Sequence, residues 1–217
     1  MALIQSKNHL CGGTLIKADW VLTAAHCHVD KSTTVDLGVH SRHIKDKLRQ
    51  QFKIVRSIQH PKFNKGKLVN DIQLLQLSRN ATLNKYVNIL PLPGTFNELK
   101  GGTVCETAGW GRSNSKSPRS SDKLMEVRLT VLDRKTCNYM YQPTLKITRD
   151  MMCTGEKEEK GICNGDVGGP LICRRVFTGI TLFGPVLCGI PNSANVYTRL
   201  TKEYVKWIKK EIKQKTP

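Results

Sequence analysis

The sequence predicts an all-β chain with two β-rich halves and a C-terminal α-helix. From Leu3 onward, apolar residues come in short runs that are rich in Val, Ile, Leu and Thr and are broken by Gly, Asn, Lys and Pro, a pattern typical of β-strands. Between Ile89 and Gly102, a segment rich in Pro and Gly separates two such halves, as expected of a linker. Near the C-terminus, apolar residues recur instead at helical spacing.

The first two strands are predicted at residues 11–16 and 20–27. Both are short runs rich in apolar residues and Thr, and the residues Lys17, Ala18 and Asp19 lie between them. Polar residues between two such runs indicate a turn. We therefore expect the chain to open with two joined strands.

Two helices are predicted, a short one near residues 133–141 and a longer one over about 201–214. In the longer one, Thr201 can cap the start and Glu203 suits the positive end of the helix dipole. Its apolar residues lie on one side and its lysines cover the rest: Tyr204, Trp207, Ile208 and Ile212 against Lys202, Lys206, Lys209, Lys210 and Lys213.

The charge balance is strongly basic. The 217 residues include 35 Lys and Arg against 17 Asp and Glu, a formal net charge of +18, and such a field attracts polyanions. A uniformly solvated basic surface is the alternative. Aromatic residues make up 6% of the chain and are not interleaved with the basic runs, so a reader of specific nucleic-acid sequences is not expected.

Cysteine usage predicts an oxidising compartment. The eight cysteines suit four disulfides; free thiols or a zinc site are the alternative, although no Cys-x-x-Cys pair occurs. The opening residues lack the apolar core of a secretory signal, so we expect that a signal was removed or omitted or that the chain is not exported. Asn80 begins an Asn-Ala-Thr glycosylation acceptor, and no apolar run has the length of a membrane span.

Five motifs resemble those of trypsin-like serine proteases, in the order of that family. They are Leu-Thr-Ala-Ala-His-Cys at 22–27, Asn-Asp-Ile-Gln-Leu-Leu-Gln-Leu at 70–77, Ala-Gly-Trp-Gly at 108–111, Asp-Arg-Lys-Thr-Cys at 133–137 and Cys-Asn-Gly-Asp-Val-Gly-Gly-Pro at 163–170. Asn-Lys-Tyr-Val at 84–87 and Cys-Asn-Gly-Asp at 163–166 look closest to the granzyme A and granzyme K branch.

The resemblance implies one peptidase-like unit over residues 1–217, with two six-stranded antiparallel β-barrels and the C-terminal helix. We expect the N-terminal barrel in residues 1–93, the linker in 94–101, and the C-terminal barrel with the helix in 102–217. No cofactor or metal is implied. A calcium site is not expected either, because basic residues occupy the loop that offers carboxylates to calcium in trypsin.

The resemblance also implies catalytic roles. His26 matches the general base and Asp71 the aspartate that orients it, whereas Val167 stands where the family has its nucleophilic serine. The amides of Gly165 and Val167 match the oxyanion hole. A histidine oriented by an aspartate is only a base, and Val167 offers it no proton to take.

The specificity pocket departs from the family pattern as well. Gly161 stands where trypsin and granzymes A and K carry an aspartate, and Leu182 replaces a serine in the segment that pairs with substrate, leaving Phe183 and Gly184. Asn195 stands where the family usually has glycine, so its side chain should intrude on the pocket. Basic specificity should therefore be lost, because nothing offsets the desolvation of a cationic side chain.

A third departure concerns Asp166, which matches the aspartate that pairs with a new amino terminus in active family members. The chain opens at Met1, downstream of that point. We expect the carboxylate of Asp166 to turn toward solvent or other donors. The oxyanion loop around Gly165 is then expected to be loose, as in a zymogen.

The family pattern implies four disulfides. The extra cysteine that links granzyme A chains has no counterpart here. We therefore expect a monomer rather than a covalent dimer. The implied pairs are Cys11 with Cys27, Cys105 with Cys173, Cys137 with Cys153, and Cys163 with Cys188.

We therefore predict a non-catalytic homologue of a granzyme-like protease, secreted or held in cytotoxic granules. Its partners would be polyanions such as sulfated glycosaminoglycans, or an unknown protein. One alternative is a serine-type endopeptidase of immune granules, which requires that Val167 and the opening of the chain be sequence or gene-model errors; another is a decaying paralogue without a selected function. The expected polyanion surface comprises Arg42, Lys45, Lys47, Arg49 and Lys53.

Overall fold

The computed structural model describes residues 1–7, 9–44, 47–112, 119–156 and 161–214. In this part of the chain, twelve strands form two closed barrels, and two helices follow strands of the second barrel. All pairings within the barrels are antiparallel. The predicted pair of six-stranded antiparallel barrels with a C-terminal helix is confirmed.

The first barrel has the strand order β1-β2-β3-β6-β5-β4 and the second β10-β11-β12-β9-β8-β7. Strands β1 to β6 are Ala2–Gln5, Leu10–Lys17, Trp20–Thr23, Thr34–Leu37, Gln50–Gln59 and Gln73–Leu77. Strands β7 to β12 are Val104–Gly109, Met125–Leu132, Met151–Glu156, Pro170–Cys173, Val176–Phe183 and Ser193–Arg199. The helices are α1 (Arg134–Tyr141) and α2 (Lys202–Lys213).

The predicted strand over 20–27 was too long, because β3 ends at Thr23. Residues 24–27 form a turn in which the Cys27 amide donates to the Ala24 carbonyl at 3.1 Å. The buried side-chain amide of Gln73 donates to the carbonyls of Ala24 and Cys27 at 2.9 and 2.8 Å. Those carbonyls are thus satisfied outside any strand ladder, and the turn carries His26.

A segment without strands, residues 78–103, connects the barrels; all of it lies within the described residues. It is tied to both, since the Leu90 amide donates to the Leu15 carbonyl and the Gly102 amide to the Val131 carbonyl, each at 2.9 Å. The boundaries predicted for the two halves and for the linker stay predictions.

Helix α2 follows the second barrel but packs on the first. Buried Tyr204 and Ile208 belong to the same apolar cluster as Leu22, Leu74 and Phe52. The Thr201 hydroxyl caps the helix by accepting from the Tyr204 amide at 3.4 Å, as its sequence position predicts. The helix thereby connects the end of the chain to the barrel that carries His26.

All eight cysteines form disulfides, in the four pairs that the family pattern implies. Each pair closes a loop, and loss of such a bridge in a secreted domain costs about 2 to 5 kcal/mol. Within the described ranges, neither helix is long and apolar enough to cross a membrane.

Candidate functional site

His26 and Asp71 form a tight pair at the junction of the two barrels. The His26 amide donates to Asp71 Oδ1 at 2.9 Å, and His26 Nδ1 lies 2.5 Å from Asp71 Oδ2. The carboxylate is fully buried, whereas the imidazole is 25% exposed. Because a carboxylate only accepts hydrogen bonds, Nδ1 carries the proton and Nε2 is left as the acceptor. The pair therefore has the geometry of an oriented general base.

Residues distant in sequence support the segment that carries Asp71. The Thr198 hydroxyl of β12 donates to the Asp71 carbonyl at 2.9 Å, and the Tyr204 hydroxyl of α2 donates to Asn70 Oδ1 at 3.1 Å. Asn70 has a φ of 54°, which asparagine tolerates better than most residues. Sequence analysis missed the roles of Thr198 and Tyr204, since no local pattern relates them to the motifs, and that of Gln73, which stands in the motif of Asp71 but bonds to residues 24 and 27.

A cavity of about 400 Å³ opens beside His26. The only hydroxyl among its lining residues belongs to Ser57, and this hydroxyl faces the Gln73 Oε1, 3.4 Å away. Among the described residues, this hydroxyl makes no hydrogen bond to the imidazole of His26, the contact that would activate it as a nucleophile. The cavity is lined by Ala25, His26, His28, Val29, Ser57, Gln59, Phe63, Lys65 and Gln73.

Val167 lies against the turn that carries His26. Its carbonyl accepts from the Gly12 amide at 2.6 Å and lies 3.9 Å from the Sγ of Cys27. Its side chain is half-buried and packs on the apolar cluster of the first barrel. The position that the resemblance assigns to the nucleophile therefore lies against the turn that carries His26, but its side chain is apolar and has no hydroxyl.

The loop around Val167 leaves two backbone amides unused. Gly165 has a φ of +104° and Gly168 a φ of +83°, and a Cβ on Gly168 would approach the Thr23 Oγ1 to 2.1 Å, so glycine is required there. Among the described residues, the amides of Gly165 and Val167 donate no hydrogen bond. They are free to bind an anionic oxygen. The looseness expected of this loop stays a prediction.

Asp166 is bound by backbone donors. Its Oδ1 accepts from the Gly111 amide at 2.7 Å and its Oδ2 from the Cys163 amide at 2.9 Å. The carboxylate fills the space that side chains on Gly109 and Gly111 would need. Of the two outcomes expected for Asp166, solvent or other donors, the structure has the second. Burial raises the pKa of this carboxyl to about 6, against the opposing effect of the two amides.

The raised pKa of Asp166 predicts a pH-dependent stability. The pKa of the Asp166 carboxyl is 3.8 in the unfolded chain and about 6 in the folded protein. Its contribution to the free energy of unfolding is therefore complete below about pH 4 and is lost as pH rises through 6. It amounts to at most about 3 kcal/mol. In urea unfolding between pH 4 and 7, Asp166→Asn should lack this fall in unfolding free energy. Parallel curves for the two proteins would contradict the assignment.

Asn195 is buried between two of the segments predicted to line the specificity pocket. It is 1% exposed, and its Oδ1 accepts from the Ile162 amide at 3.2 Å. A Cβ built on Gly161 or on Gly184 would lie 3.2 or 3.0 Å from that oxygen, so the side chain reaches between the two segments. Leu182 is fully buried on the same strand as half-buried Phe183. The structure thus brings Gly161, Gly184 and Asn195 together and places Leu182 and Phe183 on the strand that pairs with that of Asn195.

The residues of the predicted polyanion cluster differ in how far their charged groups are available to a ligand. Lys47 and Lys53 are exposed, and the Arg42 guanidinium donates to the carbonyls of Ser121 and Ser120 at 2.8 and 3.1 Å. Lys45 lies outside the described residues.

Arg49 from the same cluster is turned inward. Its Nη2 lies 2.9 Å from Oδ2 of fully buried Asp36, and the Arg49 side chain is only 13% exposed. This guanidinium is bound to an internal carboxylate and is not available to a polyanion.

Comparisons with known proteins find a matching family and several similar proteins. The family model described as Trypsin matches residues 1–208. Granzyme A of Bos taurus is 45% identical over 217 residues, which cover 98% of this chain and 82% of that protein. Chymase of Cavia porcellus is 38% identical over 203 residues, with 94% and 79% covered. Mast cell protease 3 of Ovis aries is 37% identical over 212 residues, with 97% and 81% covered.

Proposed function

Because the chain belongs to the trypsin family of serine proteases, we propose that it is a non-catalytic member that acts by binding polyanions or a protein partner. The observation that carries this proposal is Val167, which lies against the turn of His26 where a nucleophile would be needed. A base without a hydroxyl to deprotonate cannot start acyl transfer.

The expected loss is large. In a protease that has the same triad on an unrelated fold, removal of the serine lowers turnover about 10⁶-fold, and the remaining machinery retains roughly 10³ to 10⁴ over water. Turnover at that residual level would not serve proteolysis. The His26–Asp71 pair and the amides of Gly165 and Val167 would then be inherited geometry without a reaction to catalyse.

The pocket supports the same proposal independently of Val167. Asn195 fills space between Gly161 and Gly184 and is held there by the Ile162 amide. A substrate side chain would have to displace a buried, hydrogen-bonded amide, which leaves polar groups unpaired. The family reaction requires a nucleophile and an open pocket. Val167 removes the first and Asn195 opposes the second.

The net charge of +18 favours polyanions as the partners. Long-range attraction of this kind raises association rates and falls with ionic strength. We propose that the chain works as a monomer, either secreted or stored in granules. The four disulfides suit such an oxidising compartment. Asn80 is exposed, so a glycan could be attached there, and this too stays a prediction.

Heparin affinity tests the binding proposal. The 217-residue chain should leave a heparin column at a salt concentration at least about 0.2 M higher than from a sulfonate resin, because an organised site adds to general attraction. The sulfonate resin is the control for net charge. Elution of the chain from both resins at the same salt would contradict polyanion binding as a function.

The intact His26–Asp71 pair favours a second candidate, a serine-type endopeptidase of immune granules in which Val167 is not the native residue. Sequencing of the transcript across codon 167 and upstream of Met1 separates the two. A serine codon supports the peptidase, and a valine codon supports the non-catalytic protein.

A further inference from the structure

Four lysines of α2 lie along one side of the helix. Lys202, Lys206, Lys209 and Lys213 are spaced i, i+4, i+7 and i+11, which places them within about 60° of one another around the axis at 3.6 residues per turn. All four are exposed. The line is about 16 Å long at a rise of 1.5 Å per residue. We call these four residues the lysine stripe.

The lysine stripe points away from the barrel. Buried Tyr204 and Ile208 lie on the opposite side, where they join the apolar cluster of the first barrel; buried Val205 flanks the stripe. Rotation of the helix toward any other face would expose these side chains, at a cost of about 1.5 to 3 kcal/mol for each large apolar one. Burial therefore fixes which face of α2 the solvent meets.

Aromatic contacts and hydrogen bonds hold the helix in place. The His60 ring packs edge-on against Tyr204 and Trp207, with ring centres 5.5 and 5.0 Å apart. At the C-terminal end, Arg56 Nη1 donates to the Gln214 carbonyl at 3.3 Å. The four ammonium groups thus project from a rigid support, which lowers the entropic cost of binding.

Little acidic charge offsets the stripe. Lys206 Nζ lies 3.6 Å from Glu203 Oε1, but both side chains are well exposed, so the pair contributes little. Within the described part of the chain, Lys202, Lys209 and Lys213 take part in no ion pair. The stripe also differs from the cluster around Arg49, whose guanidinium is bound to Asp36.

The geometry points to a sulfated polysaccharide as the ligand, with the lysine stripe as its binding site. This inference rests on the polyanion binding proposed above and locates it. A single row of charges on a convex helix suits one linear chain of sulfates, contacted by ammonium groups as point charges. The aromatic rings of α2 face the barrel, so the surface offers no platform for stacked bases.

Two variants with the same net charge test this assignment. One changes the stripe, with Lys202, Lys206, Lys209 and Lys213 each replaced by Gln. The other changes four exposed lysines elsewhere: Lys17, Lys31, Lys123 and Lys146, each to Gln. For a heparin-derived octasaccharide at 0.15 M salt, the stripe variant should bind on the order of 100-fold more weakly, or roughly threefold per lysine, and the scattered variant less than about threefold.

Equal losses in the two variants would overturn the stripe while leaving polyanion binding intact. Equal elution of the unchanged chain from heparin and sulfonate would instead overturn the proposed function.

If the stripe variant fails to fold, acetylation of lysines in the unchanged chain, measured with and without the octasaccharide, tests the same assignment. Protection of the four stripe lysines is expected, and protection of Lys47 and Lys53 instead would overturn the assignment. Displacement of the octasaccharide by duplex DNA at lower charge concentration would overturn the ligand class.

Discussion

Val167→Ser is expected to turn an unreactive chain into one that a fluorophosphonate labels covalently. The new hydroxyl would lie beside His26, whose Nδ1 is held by Asp71 at 2.5 Å, and near the unused amides of Gly165 and residue 167. Those are the groups that activate a serine and bind the resulting oxyanion. A gain in labelling rate of roughly 10³-fold or more is expected. Intact mass spectrometry after timed incubation measures it.

Two further variants show whether the gain uses the proposed geometry. Val167→Ala should stay unlabelled, because it removes the same side-chain bulk without adding a hydroxyl. In the Val167→Ser background, His26→Ala should abolish most of the labelling, because the base is gone. Slow labelling of Val167→Ser that His26→Ala leaves unchanged would contradict the claim that the base and the amides are correctly arranged.

Arg49→Ala is expected to destabilise the fold by about 3 to 5 kcal/mol. Asp36 is fully buried and bonded through Oδ2 to Arg49 at 2.9 Å and to Gln5 Nε2 at 3.1 Å. Its Oδ1 is buried too and accepts nothing from the described residues. Loss of the guanidinium leaves a buried charge with one amide as its partner. Urea unfolding with the disulfides intact measures the change.

The matched control for Arg49→Ala is Lys53→Ala, which removes an exposed cation nearby on β5 and should change the unfolding free energy by less than about 0.5 kcal/mol. Addition of Asp36→Asn to Arg49→Ala should recover part of the loss, because no buried charge is then left. If Arg49→Ala lowers the free energy of unfolding by less than about 1 kcal/mol, the Arg49–Asp36 pair does not stabilise the first barrel as expected.

The fold could be predicted because its signals are local or belong to a known pattern. Thr201 is a cap that the sequence displays, and α2 begins one residue later. The strand predicted through Cys27 failed for a non-local reason, since the amide of Gln73 takes the carbonyls of Ala24 and Cys27. The residues near 24–27 contain no local pattern that predicts Gln73 as their hydrogen-bond partner.

The candidate site divides in the same way. His26 and Asp71 stand in motifs, and the structure places them together as the resemblance implies. The inward turn of Arg49 could not be found from sequence, because it depends on the register that brings a residue preceding β5 next to Asp36 of β4. The lysine spacing of α2 is visible in the sequence, but the fit of the opposite face to the barrel is what fixes its exposure.

The most direct test of the central claim is the mass of the unchanged 217-residue chain after prolonged incubation with an excess of fluorophosphonate. With Val167→Ser as the positive control, the account predicts that the mass of the unchanged chain stays the same while the variant gains one adduct. One adduct on the unchanged chain, lost on His26→Ala, would show a working nucleophile and would contradict the proposal that this protein is non-catalytic.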